Sequence, residues 1–94
     1  MKRIYKYELN NMAFSEPQII EMPWCAKIVN IVKKVDGVFL YALIDTELGY
    51  DCPRKFRIYG TGWDIREEKV KYINSFLIGD YEIYHVVEVL DKDE

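Results

Sequence analysis

A single histidine, two cysteines, and no Cys-x-x-Cys or His-x-x-x-His spacing leave this chain without the residue sets that bind zinc or form a redox pair. Cys25 and Cys52 read as reduced, inert thiols rather than a disulfide. The opening Lys2-Arg3-Ile4-Tyr5-Lys6 carries no apolar leader, which predicts no signal peptide and a cytoplasmic setting. The longest apolar run, Val38 to Ile44, falls far short of the ~20 residues of a membrane-spanning helix. Positive charge is also scarce. Thirteen basic residues stand against sixteen acidic ones, for a formal charge of −3. A protein that grips phosphate backbones draws its affinity from a basic excess. The signs are interspersed rather than blocked, so a dense acidic face imitating DNA is excluded as well. Neither nucleic acid nor membrane is an expected partner, and no cofactor or metal is expected.

What is present is apolar and aromatic. Half of the 94 residues are hydrophobic and 15% are aromatic, too many for a disordered tail. The length suits one domain over residues 1–94. Its core is small, so association into a homo-oligomer is an expected supplement.

The dominant period is two. Tyr5, Tyr7 and Leu9 share one face of a strand, with Lys6 and Glu8 on the other. Asn10-Asn11 ends it. A second strand runs from Gln18 to Met22 and closes at Pro23, which cannot donate into a ladder. A third covers about 27–35 and a fourth 38–45, joined at Asp36-Gly37, a dipeptide suited to a type I′ turn. The fourth strand is apolar on both faces, which predicts cover above and below. Glu47 to Pro53 reads as a loop and Arg54 to Tyr59 as a strand, with Phe56 and Ile58 opposite Lys55, Arg57 and Tyr59. Asp64 and Glu67 have capping-box spacing, so residues 65 onward form either a helical turn or a plain loop. Strands over 72–78 and 81–90 meet at a Gly79-Asp80 turn, and the tail 91–94 is solvated. The expectation is an all-β fold with at most one or two short helical turns, a small antiparallel sandwich or a partly closed barrel.

Chemistry is sparse. His85 shares a face with Ile83, Val87 and Val89, and no serine or cysteine is placed beside it, so a hydrogen-bonded strand histidine is favoured over a general base. Glu67-Glu68 reads as a solvated pair. Gly60-Thr61-Gly62 either aims backbone N–H groups at an anion or merely supplies a turn. With Arg57 before it and Trp63 after it, this turn is the candidate ligand site, and Arg54, Trp24 and His85 are possible additions. Arg57 has a competing reading as one half of a cross-strand ion pair. Trp24 is either a core plug, the favoured reading, or an exposed platform.

Several blocks carry a resemblance: Lys2-Arg3-Ile4-Tyr5-Lys6-Tyr7, Ile20-Glu21-Met22-Pro23, Phe56-Arg57-Ile58-Tyr59-Gly60-Thr61-Gly62 and His85-Val86-Val87-Glu88-Val89. Taken in order, they resemble a family of small uncharacterised proteins of tailed phages and prophages. That pattern carries no assigned activity. It places the Gly-Thr-Gly turn and the His-Val-x-Glu-Val strand at recurrent positions, but Trp63 stands where the pattern has a histidine. The resemblance implies a non-enzymatic counter-defence protein acting in the infected bacterial host. Its expected role is to sequester a small anionic, nucleotide-like immune signal. The alternatives are an inhibitor docking on a host defence protein through an aromatic surface or sheet edge, and a minor virion or assembly protein.

Overall fold

The computed structural model describes residues 1–49 and 52–91. Tyr50 and Asp51, within the loop expected over 47–53, and the tail 92–94 lie outside the described residues. Among the described residues seven strands follow one another: β1 (Lys2–Leu9), β2 (Gln18–Met22), β3 (Lys27–Lys34), β4 (Gly37–Asp45), β5 (Cys52–Gly60), β6 (Val70–Ile78) and β7 (Glu82–Val89). Strand makes up 63% of the described residues, and every pairing is antiparallel. The strands form two sheets, β1-β4-β3 and β2-β5-β7-β6, with no closed barrel. The fold is a small β-sandwich. Its 18 Å thin dimension fits two sheets stacked at ~10 Å. No helix among the described residues is long and apolar enough to cross a membrane.

Alternation builds the core. Val38, Leu40, Ala42 and Ile44 of β4 face Phe56 and Ile58 of β5 and Val86 of β7, all within one buried cluster. In β1 the inward residues are Tyr5, Tyr7 and Leu9, as the period-two pattern requires. A short 3-10 turn (Asn11–Phe14) links β1 to β2, with the Asn10 side chain accepting from Met12 N at 3.0 Å. It seats Ala13 in the core and sets Phe14 edge-on to Tyr84 at 5.5 Å. Edge strands β3 and β6 each carry a bulge at an asparagine, Asn30 and Asn74. Each caps the next backbone N–H with its own side chain, and the two amides meet at 3.4 Å. Such bulges twist an edge away from further pairing.

Three expectations are corrected. The first hairpin pairs Lys34 with Gly37, so its loop is Val35-Asp36, one residue earlier than Asp36-Gly37. Neither residue has positive φ, which rules out type I′. The second hairpin pairs Ile78 with Glu82, leaving the three-residue loop Gly79-Asp80-Tyr81 with Gly79 at φ +67°. The third correction concerns β4. Its second face, Phe39, Tyr41 and Leu43, is not covered by another layer among the described residues. Phe39 is only 7% exposed yet lies outside the core cluster, because lysine side chains roof it. The spacing of Asp64 and Glu67 starts no helix. Residues 61–69 form an irregular segment.

Candidate functional site

In β5 the pleat turns Phe56 and Ile58 inward and Arg57 and Tyr59 outward. Outward does not mean solvent-facing here. The 61–69 segment folds back over this face, and Glu67 accepts from Arg57 Nη1 at 2.5 Å and from the Tyr59 hydroxyl. The Tyr59 oxygen also accepts from the Arg66 N–H at 3.2 Å. The guanidinium lies 4.8 Å from the Tyr59 ring centre. Side chains of Arg57 and Glu67 are only 11% and 14% exposed. Burial works to raise the Glu67 carboxyl, but bonds from Tyr59 and Arg57 and the Arg57 charge outweigh it and hold it below the ordinary value. Arg57, the expected ligand anchor, is therefore a tied side chain with one buried donor, Nε, lacking an acceptor. Glu67 is not the solvated carboxylate expected from its neighbour Glu68. It is the clasp of the segment.

The Gly-Thr-Gly turn has two different reasons for its glycines. A Cβ on Gly60 would stand 2.6 Å from Trp63 Cε2, so this glycine is a seat for the indole. Gly62 has φ +87° and open space around it, so it is needed for the turn itself. Thr61 N donates to Ile83 O at 3.3 Å and Trp63 N to Gly60 O at 3.1 Å. Those two amides are spent inside the fold, so the expected outward cradle of N–H groups does not form from them. Trp63 remains 49% exposed and stands edge-on to Tyr84 at 5.7 Å.

His85 joins three elements. Its Nε2 lies 2.8 Å from Thr61 Oγ1, and its Nδ1 lies 2.9 Å from the Tyr72 hydroxyl. Thr61 gives its hydroxyl proton to Ile83 O at 2.9 Å. Nε2 must then donate to Thr61, and Nδ1 accepts from Tyr72. A hydroxyl thus does lie beside the histidine, but with its proton committed to a carbonyl. The arrangement fixes β6, β7 and the turn together. It is not set up to activate Thr61 as a nucleophile, which would need Nε2 to accept.

Arg54 and Trp24 lie elsewhere. Arg54 lies six residues before Gly60 along β5, about 20 Å away at ~3.3 Å per residue. Arg54 grips Glu88 through Nε and Nη2 at 2.7 and 2.8 Å and donates to Ala26 O at 2.5 Å. That bidentate, largely buried pair anchors β5 to β7 and the start of β3. Trp24 is half exposed in a separate cleft beside Arg54 and Lys55, not in the core. Cys25 and Cys52 are free thiols, and among the described residues no group of His, Cys, Asp or Glu is arranged to hold a metal.

Trp63 lines two clefts. One, of about 570 Å³, lies between the 3-10 turn and the 62–66 segment and brings Phe14, Ser15, Arg57, Trp63 and Arg66 together, with Asp64 at its wall. The other, of about 450 Å³, is lined by Thr61, Trp63, Tyr81, Glu82 and Tyr84. The first sets the Trp63 indole beside the exposed Arg66 guanidinium, a combination suited to a flat anionic ligand, while Arg57 and the Ser15 hydroxyl are already engaged by Glu67 and Met12 O. Ser15, Phe14 and Arg66 were missed in the sequence because their approach depends on the 61–69 segment crossing the outer face of β5. No local spacing announces that. No curated protein and no solved structure matches the chain. The model of one family, described as a domain of unknown function (DUF7352), matches residues 1–94, and the chain belongs to that family.

Proposed function

We propose that this chain is a non-enzymatic binding protein that holds a small anionic, nucleotide-like ligand in the cleft between the 3-10 turn and Arg66. One observation carries the reading: the half-exposed Trp63 ring and the exposed Arg66 line one concavity with Phe14 and Ser15. The indole offers a stacking face. Arg66 offers a charged donor worth about 1.5–3 kcal/mol to an anion. The resemblance to tailed-phage proteins supplies the setting: a cytoplasmic, oligomeric protein that sequesters a nucleotide immune signal of the infected host. The Thr61 proton held by Ile83 O supports binding over catalysis.

Thermal unfolding in the presence of cyclic dinucleotides and cyclic ADP-ribose isomers tests this. A ligand at a hundredfold excess over its Kd adds about 2.7 kcal/mol of stability. The reading stands if one of them raises Tm and Arg66→Ala cuts the rise to about half or less at the same ligand concentration. It is overturned if none does, or if Arg66→Ala responds like the parent.

A further inference from the structure

The outer face of the three-stranded sheet has an apolar floor. The registers put Ile4, Leu43, Tyr41, Phe39 and Val32 on it together, opposite the core face of Leu40, Ala42 and Ile44. Ile4 is 62% exposed and Tyr41 and Leu43 are half-buried. The opposite sheet is treated differently, because the 61–69 segment roofs Tyr59 there. No described segment performs that service for β4. Its cover is the side chains of Lys6 and Lys34, whose amines stand 4.9 and 5.5 Å from the Phe39 ring centre, with Lys34 also 6.0 Å from Tyr41.

Charge on this face runs against that of the chain. Lys2, Lys6, Lys27 and Lys34 lie on it, against Glu8 and Asp45, while the whole chain carries −3. Asp45 is already engaged by the N-terminal amine at 3.5 Å and by the Glu47 N–H at 3.0 Å. Two copies meeting symmetrically through this face would set lysines against lysines, which disfavours self-association here. A base-stacking platform needs open ring faces, and Phe39 is covered. An acidic partner with apolar side chains meets both demands. Its carboxylates draw the flexible lysine amines outward, and the floor beneath is then open to its apolar groups.

We propose that the outer face of β1, β4 and β3 is a docking surface for an acidic, apolar-bearing segment of a partner protein. The test uses the full chain and a short fluorescein-labelled peptide alternating glutamate with leucine and tyrosine, read by anisotropy. Controls are the same peptide with lysine for glutamate, single-stranded oligothymidylate, and sedimentation of the protein alone. The expected result is saturable binding of the acidic peptide that weakens with salt and falls at least tenfold in Lys6→Glu/Lys34→Glu. Lys6→Met/Lys34→Met keeps the apolar cover over Phe39, guards against a folding defect, and should lose most of the salt dependence. Arg66→Ala should bind the peptide like the parent. The proposal is overturned if the acidic peptide does not bind, if the charge variants bind it equally well, or if oligothymidylate or the lysine peptide binds as tightly. It is also overturned if sedimentation shows an oligomer that Lys6→Glu/Lys34→Glu dissolves.

Discussion

Arg57 and Glu67 close the 61–69 segment onto β5 through a 2.5 Å ion pair from which both side chains exclude most solvent. The pair is structural before it is anything else. Removing one partner leaves the other charge buried and unmatched, so Arg57→Ala and Glu67→Ala should each cost about 1–3 kcal/mol in urea unfolding. The double variant should cost less than the two together, because the residues act as a unit. Independent, additive losses would show that the clasp is not what holds the segment.

Acid should open this clasp. Glu67 has a folded-state pKa below its ordinary value, so its contribution is present above the unfolded carboxylate pKa of ~4.3 and is lost as pH falls through the folded value. Asp45, lowered chiefly by the Glu47 N–H, acts in the same direction. Burial raises the Tyr7 and Tyr59 phenols, so their contribution is present below pH ~10 and is lost as pH rises through their folded values. Stability measured against pH should therefore fall on both sides, and Glu67→Gln should flatten the acid limb. An unchanged acid limb in that variant would contradict the assignment.

The two faces of β4 should answer differently to truncation. Leu40 has no exposed surface and sits in the inter-sheet core, so Leu40→Ala should cost about 2–5 kcal/mol. Leu43 lies half-buried on the outer face, and Leu43→Ala should cost about 1 kcal/mol or less. Equal costs would mean that the outer face is covered after all.

Gly60 and Gly62 separate packing from backbone conformation. Gly60→Ala pushes a methyl into the Trp63 indole and should cost about 1–3 kcal/mol while changing the tryptophan emission. Gly62→Ala meets no atom but strains a φ of +87°, so it should destabilise modestly without disturbing Trp63. Identical emission changes in both variants would contradict the indole seat.

Much of the architecture was legible because it is local. Pro17 and Pro23 bracket Gln18–Met22, and the alternation of Phe56 and Ile58 with Arg57 and Tyr59 assigns the two faces of β5 directly. The site was less legible because it depends on pairings between distant strands. The β5–β7 register puts Gly60 opposite Tyr84 and so brings Thr61 to His85, a meeting that no short-range spacing contains. Glu67 resembled a capping residue because its true partner, Arg57, lies ten residues back across a fold in the chain. Charges that alternate along the sequence also regroup, since the order β1-β4-β3 gathers lysines from both flanking strands onto one face. A reading of net charge alone misses that face.

The central claim is that the Trp63 cleft binds an anion through Arg66. Calorimetric titration of the nucleotide that raises Tm, into the parent and into Arg66→Ala, tests it most directly. Arg66 is exposed, and its backbone bond to Tyr59 survives the substitution, so the variant should unfold like the parent without ligand. The account predicts saturable binding to the parent and at least tenfold weaker binding to the variant, the effect of one charged hydrogen bond. Equal affinity for both proteins would contradict it.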